Sequence, residues 1–391
     1  MSKLEQLISE LCPNGVEYRK LEKCCNILDR QRKPVTKSAR ETGEYPYYGA
    51  NGIQDYVSDY IFDGTFVLVG EDGSVITKNG NPVVTWAQGK IWVNNHAHII
   101  GEIDGVLLRY LYHFIQTVDV TSLIHGNIPK LTGGDFKAIP IALPPLPVQE
   151  EIVRILDNFT ELTAELTAEL TARKKQYKYY RDKLLTFKEG EAEWKTVEEI
   201  FNLKNGYTPS KANKEYWENG TVPWFRMEDL RTNGNILNDA VQHIHTSGVR
   251  GKLFPANSII MATTATIGEH ALITVDYMSN QQFTNFALRD DICELIDTKF
   301  AYYYFFILDE KAKQAVNKSS FPSVQMEQLR KWDFPIPPLK EQERIVAILD
   351  KFDTLTTSIS KGLPAEIKAR QQQYEYYCDK LLTFKNINVE E

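Results

Sequence analysis

Two histidine pairs, His96 with His98 and His243 with His245, are spaced so that a strand would turn both imidazoles to one face. That is the beginning of a divalent-metal site, but such a site takes at least three protein ligands, and neither pair has a third at a recognisable spacing. Groove or surface histidines are the simpler reading. The acidic pairs Glu71-Asp72 and Glu228-Asp229 offer the oxygens that nuclease cations need, but their default reading is turn and loop acids. Five cysteines without framework spacing suit a reducing compartment, and adjacent Cys24 and Cys25 suit packing. The sequence has neither the G-x-x-x-x-G-K-[ST] phosphate loop nor a G-x-G-x-x-G opening a helix. An Asn/Asp-Pro-Pro-aromatic element of the amino-methyltransferase kind is also missing, and Asn81-Pro82-Val83 reads as a turn entering a strand. The expectation is a chain with no catalytic residue, no metal and no cofactor of its own.

What remains is polar recognition. Arg30, Arg32, Lys33 and Lys37 run into an aromatic turn that contains Tyr47 and Asn51. Lys130 follows a Gly-Asn-Ile-Pro loop. Lys204, Tyr207, Thr208, Lys211 and Lys214 form a second cluster, and Arg226, Arg231, Gln281, Lys318 and Ser319 lie in later loops. Lysine and arginine neutralise phosphates, arginine reads guanine, and asparagine or glutamine reads adenine edges. Any one of these residues is explained by solvation of a loop; taken together they favour contact with double-stranded DNA. The formal net charge of −7 speaks against a simple nucleic-acid binder. The charge is segregated, however. Arg19 to Arg40 carries eight cationic side chains against Glu22 and Asp29. The tyrosines Tyr177, Tyr179 and Tyr180, with Tyr374, Tyr376 and Tyr377, read as packing at helix ends.

The elements that must present these loops come in two copies. Pro144-Pro145-Leu146 leads into Gln149-Glu150, Ile152-Val153 and Ile155-Leu156-Asp157; Pro337-Pro338-Leu339 leads into Gln342-Glu343, Ile345-Val346 and Ile348-Leu349-Asp350. The end of each copy recurs as well, Asp182 to Lys188 against Asp379 to Lys385. Pro129 and Pro322, Pro144 and Pro337, and Tyr110 and Tyr303 all stand 193 positions apart, and Thr65 to Leu68 aligns with Ser258 to Met261 at the same offset. Asn94-Asn95 aligns with Asn280-Gln281 at a slightly different one. Short β-type runs separated by Gly, Asn and Asp turns precede each copy. Ile152, Ile155, Leu156, Phe159, Leu162, Leu166 and Leu170 make one apolar stripe at helical spacing; Ile345, Ile348, Leu349, Phe352, Leu355 and Ile359 make another. One stripe per helix asks for a partner helix, and the natural partner is the other copy, packed antiparallel. A helix from Val148 to Lys183 would extend roughly 54 Å. Lys361-Gly362-Leu363-Pro364 should interrupt the second. The expected fold is mixed α and β (α+β). Globular domains at 1–146 and 191–338 alternate with spacer helices at 147–190 and 339–391. No run is long enough for a membrane helix, so a cytoplasmic protein is expected.

These features carry a family resemblance. The doubled Pro-Pro-Leu…Gln-Glu…Ile-Val…Leu-Asp element, Asn205-Gly206-Tyr207-Thr208-Pro209-Ser210 with Glu215-Tyr216-Trp217 after it, and the tandem Thr-Ala-Glu-Leu of 163–170 together resemble the specificity subunit of type I restriction–modification systems, of the type IC kind, over essentially the whole chain. The resemblance implies two target-recognition domains, each reading one part of a split DNA sequence. It implies a helical spacer that sets the gap and docks partners through Ile152, Ile155, Phe159, Leu166, Leu170, Ile345, Ile348 and Phe352. It implies two modification subunits that bring S-adenosylmethionine and methylate adenine, and restriction subunits that use ATP and Mg. In the first variable region Val35-Thr36 and Tyr47 to Gly52 stand where the family has a Gly-x-Thr-Pro element. A protein-assembly scaffold with two similar binding domains is the rival reading.

Overall fold

A computed structural model describes residues 2–73, 75–316, 322–358 and 360–387. The chain forms two compact units, Met1–Leu166 with Ile367–Glu391, and Thr167–Glu366.

In the first unit, helix α1 (Lys3–Leu11) is started by a capping box: the Ser2 hydroxyl accepts from the Glu5 N–H while the Glu5 carboxylate accepts from the Ser2 N–H. The body is a six-stranded mixed sheet in the order Asn26–Ile27, Ala97–Gly101, Phe62–Gly70, Val84–Val93, Thr42–Gly49, Gly52–Val57. Its central strand shows why a continuous apolar run belongs there. Val67 and Val69 join the cluster under helix α2 (Leu108–Ile115) and helix α3 (Gly133–Ala138), while Phe66 and Leu68 join a second cluster on the opposite face. The first half of the long helix α4 (Leu146–Leu184) closes the same core with Val148, Ile152 and Leu156.

The second unit holds α5 (Val197–Ile200), α6 (Met227–Asn233), α7 (Thr298–Gln314), α8 (Met326–Leu329) and α9 (Leu339–Thr357). Its five-stranded sheet runs Phe201–Asn205, Phe283–Leu288, Ser258–Ala262, His270–Ile273, Ile236–Leu237. Ile259 and Met261 point to the cluster of α7 and α9, and Ile260 and Ala262 to the other face. This corrects the expected alignment of the two halves. Gly70 pairs with Ala97 where Ala262 pairs with Phe283. Val67 therefore matches Ile259, one position short of the 193 that holds for the helices. A slip of one residue exchanges the two faces of a strand, so the offset of 193 would have put the wrong side chains in the core.

The Pro-Pro-Leu elements repeat in atomic detail. In the first unit, buried Gln149 accepts from the Leu107 N–H at 2.9 Å and donates to the carbonyls of Pro144 at 2.8 Å and Gly105 at 3.2 Å. In the second, buried Gln342 accepts from the Asp297 N–H at 2.8 Å and donates to Pro337 at 2.7 Å and Leu295 at 2.9 Å. A glutamine is needed because one side chain must supply both an acceptor and two donors away from water.

The helical stripes divide their work. Ile152 and Ile345 are enclosed in the cores of their own units, so they fix the helix to the domain and offer nothing to a docking partner. Ile155, Leu166, Leu170 and Ile348 are half-buried. Helix α10 (Leu363–Leu382) lies mostly in the first unit, where Phe159 of α4 stacks on Tyr377 at 5.1 Å. In the second unit Tyr180 of α4 stacks on Phe352 of α9 at 5.8 Å. Each unit thus pairs its own part of α4 with a later helix, as the expected coiled-coil spacer requires. The expected interruption is present. Gly362 packs over the end of α9, where a Cβ would stand 2.4 Å from the Thr354 carbonyl oxygen. Ile359 lies outside the described residues.

Candidate nucleic-acid interface

Corresponding loops meet at the same edge of each unit, and four matched hydrogen bonds lock them. The Asn94 N–H donates to the Tyr48 carbonyl at 3.0 Å, as Asn280 does to Phe225 at 3.0 Å. The Asn94 Oδ1 accepts from the His96 N–H at 2.8 Å, as the Asn280 Oδ1 does from Gln282 at 3.0 Å. The Glu71 N–H donates to the His96 carbonyl at 2.8 Å, as Thr263 does to Gln282 at 2.9 Å. Leu131 closes the frame onto Glu71 at 2.8 Å, as Val324 does onto Thr263 at 2.9 Å. The backbone frame is shared and the side chains on it differ.

In the second unit this edge opens into a cleft of about 590 Å³ that gathers Thr208, Lys211, Lys214, Arg226 and Gln281 with Trp217, Trp224, Asn280 and Gln282. Five expected site residues thus converge. The two indole rings sit edge to face at 5.0 Å, and their N–H groups donate to the carbonyls of Ser210 and Tyr207. Arg226 is held by Glu228 at 2.8 Å and lies over Trp224. The Gln281 Oε1 accepts from the Thr208 hydroxyl. Tyr207 is half-buried and pins the 248–250 loop, donating to the Gly248 carbonyl at 2.7 Å. Lys204 is exposed beside Phe254, and Arg231 is exposed on α6; neither lines the cleft. Lys318 and Ser319 lie outside the described residues.

In the first unit the matched edge forms a cleft of about 570 Å³ lined by Asn51, Gln54, Asp72, His96, Ile128 and Lys130, so two expected residues meet there. Arg30, Lys33 and Lys37 are exposed on the basic segment before the hairpin. Tyr47 is 1% exposed and cannot stand on a surface. Its hydroxyl accepts from the Val35 N–H and donates to the Val35 carbonyl, and Arg40 covers its ring at 4.0 Å, so it anchors the basic segment from below. Arg32 is also turned inward, to Glu71 at 2.6 Å. His96 lines the cleft as a groove histidine, while Gln54 and Trp224 were missed as lining residues, and no motif or repeat pointed to them. A larger cleft of about 730 Å³ in this unit is lined by amides with Glu375 and Asp379 and without lysine or arginine, which does not suit phosphate.

The metal readings do not assemble. His96 is exposed and bound to Asp72, whereas His98 is buried and stacked on Phe136. Among the described residues, Asp29, Glu71 and His98 bring ligand atoms within 4.8 Å of one another. Arg32 reaches both carboxylates, Lys130 stands 3.4 Å from Glu71, and His98 lies 2.7 Å from Asp29. The acids are thus neutralised by side chains, and an added cation would meet two others. Burial opposes ionisation of Asp29, but the bonds from His98 and the Ile99 N–H and the charge of nearby Arg32 prevail and hold its carboxyl below the usual range. His243 pairs with Asp239 and His245 caps a turn at Ser247, so that pair does not converge either. Asp229 is buried and caps α6. Burial pushes the Cys24 thiol up to about 11 and Cys25 to about 12, which fits packing and not reactivity.

Comparison with known proteins places this architecture. The type I restriction modification DNA specificity domain matches twice, over residues 13–173 and 190–369. A Haemophilus influenzae protein named as a candidate specificity subunit of a type I restriction enzyme is 37% identical over 386 residues, covering 94% of this chain and 96% of its own. The specificity subunit of the Escherichia coli type I restriction enzyme EcoprrI is 49% identical over 208 residues, 51% of this chain and 52% of that one. The crystal structure of a type I restriction-modification system S subunit from M. genitalium shares the fold, with a TM-score of 0.58 at 16% identity over 95% of this chain and 97% of that one. Matched in both halves and along nearly its full length, the chain belongs to the type I restriction modification DNA specificity family.

Proposed function

We propose that this chain is the specificity subunit of a type I restriction–modification complex and that each unit reads one part of a bipartite duplex DNA target. The observation that carries the reading is the cleft of the second unit, where Lys211, Lys214 and Arg226 gather beside Gln281 and Asn280. Cations hold phosphates without regard to sequence, and carboxamides read base edges. A weaker version, with Asn51 and Lys130, occupies the matched edge of the first unit. Residues 1–146 and 191–338 would be the recognition domains, and 147–190 with 339–391 the spacer. Half-buried Ile155, Phe159, Ile348 and Phe352 sit where the spacer pairs. The subunit recognises and does not catalyse. Two modification subunits would bring S-adenosylmethionine, and restriction subunits ATP and Mg. Among the described residues no helix is long and apolar enough to cross a membrane, which agrees with a cytoplasmic complex. The rival scaffold reading explains neither the family match nor the cationic cleft. The test is to map methylated adenines in cells carrying this chain with its modification subunits, then with residues 200–330 exchanged for those of a relative. A split target in which one part alone changes is expected; a single contiguous target, unaffected by the exchange, would refute the proposal.

A further inference from the structure

Asn94 and Asn280 each turn their side chain back on their own loop, and each turn pushes the next residue outward. That residue is Asn95 in the first unit and Gln281 in the second, both exposed and both carboxamides. Around them the side chains on the shared frame have changed type. Glu71 stands where Thr263 stands, His96 where Gln282 stands, and Tyr48 where Phe225 stands. The outward amide persists where its neighbours have drifted.

We propose that Asn95 and Gln281 are the equivalent base-reading residues of the two units, each taking the N6/N7 edge of an adenine in the major groove. A carboxamide presents one acceptor and one donor at the spacing of the adenine N6 amino group and N7, a bidentate fit that no other base pair offers in the same order. The Gln281 Oε1 already accepts from the Thr208 hydroxyl. A carbonyl oxygen has two lone pairs, so this bond fixes the amide plane and leaves one lone pair and both N–H donors for a base. Lys211, Lys214 and Arg226 line the same cleft as Gln281 and supply the phosphate attraction that sets the duplex in place. Lys130 and Asn51 line the cleft that His96, the neighbour of Asn95, shares in the first unit. The four matched hydrogen bonds, three between backbone groups and one to the asparagine side chain, hold each turn rigid, which a two-point contact requires. The assignment rests on the DNA-reading function proposed above and narrows it to one residue per unit.

The test selects random-sequence duplexes on the complex with its modification subunits, first wild type, then with Gln281→Ala and with Asn95→Ala. Melting curves confirm that both variants are folded. Gln281→Ala is expected to lose preference for one adenine in one part of the target, by on the order of 10- to 100-fold, with the other part unchanged. Asn95→Ala is expected to do the reverse. Loss of affinity spread evenly over all sequences would make these residues phosphate contacts and overturn the assignment, as would unchanged preferences in both variants. A wild-type complex that selects no split target overturns the DNA-reading function itself, and that result appears before either variant is made.

Discussion

Gln149 and Gln342 stand at the same point of their two units, each bridging the Pro-Pro turn that starts a spacer helix to the segment leading into the helix beneath it. Each is fully buried and makes three hydrogen bonds. Replacing Gln149 by alanine leaves an N–H and two carbonyls without partners, at about 1–3 kcal/mol for each group that water cannot reach. Faster hydrogen exchange is expected around Leu107 to Ile115 and no change around Thr298 to Leu308; Gln342→Ala should give the opposite pattern. Equal exchange everywhere would show that the glutamine does not set the helix entry.

Glu151 ties α4 to α1. The Arg154 guanidinium, then the Lys3 ammonium at 2.8 Å, hold its carboxyl at about 2. The folded value lies below that of an unfolded glutamate, roughly 4.3. The stabilisation is therefore complete above that value and is lost as pH falls towards about 2. Melting temperatures of wild type and Glu151→Gln should differ at pH 5.5, and the gap should narrow as the pH is lowered to 3. A gap constant across that range would remove Glu151 from the acid response.

Lys211 and Lys214 line the second cleft and are exposed. Lys211→Ala or Lys214→Ala should weaken DNA binding by a similar factor for every sequence. Each should also reduce the slope of log affinity against log salt by about 0.9. A change in the preferred bases would instead make the lysine a reader.

The tandem Thr-Ala-Glu-Leu lies within an unbroken α4 of 39 residues. One more unit inserted after Leu170 adds about one turn, roughly 6 Å, while nearly keeping the buried face. Methylation mapping should show a longer gap between two unaltered parts. An altered part would mean that the insertion disturbs a recognition unit.

Tyr179 and Tyr376 are 61% and 60% exposed, and each leans edge to face on its packed neighbour, Tyr180 or Tyr377. Tyr179→Ala and Tyr376→Ala should leave the melting temperature within about 1 °C and should each weaken capture of one modification subunit, read by native mass spectrometry. Full occupancy in the double variant would show that these rings serve solubility and not docking.

The repeat, the helices and their break were legible because each rests on local signals: period, proline and glycine. Register was less legible. Residues 65–68 and 258–261 are both short apolar runs, and such a run does not reveal which of its two faces meets the helices; pairing with 97–101 and 283–288 decides it. Residue types pointed to the clefts, and five of the second unit's residues did converge. Tyr47 and Arg32 look the same in sequence as surface readers. Their inward orientation depends on Val35 and on Glu71, 39 positions away, contacts that no spacing rule contains.

The first unit is finished by the end of the chain. The Val16 N–H donates to the Lys385 carbonyl and the Val16 carbonyl accepts from Ile387, and Gly15 beside them has a positive φ and a position where a Cβ would meet the Lys385 carbonyl oxygen at 2.2 Å. Cys378 and Leu382 complete its apolar core. On the ribosome this domain is made first and closed last. The second unit has all of its residues once Glu366 has emerged, while the earlier one must wait, with apolar surface uncovered, for the last helix. Order of synthesis and order of completion are reversed, so a message truncated after residue 366 would yield one sound recognition domain and one that chaperones must hold.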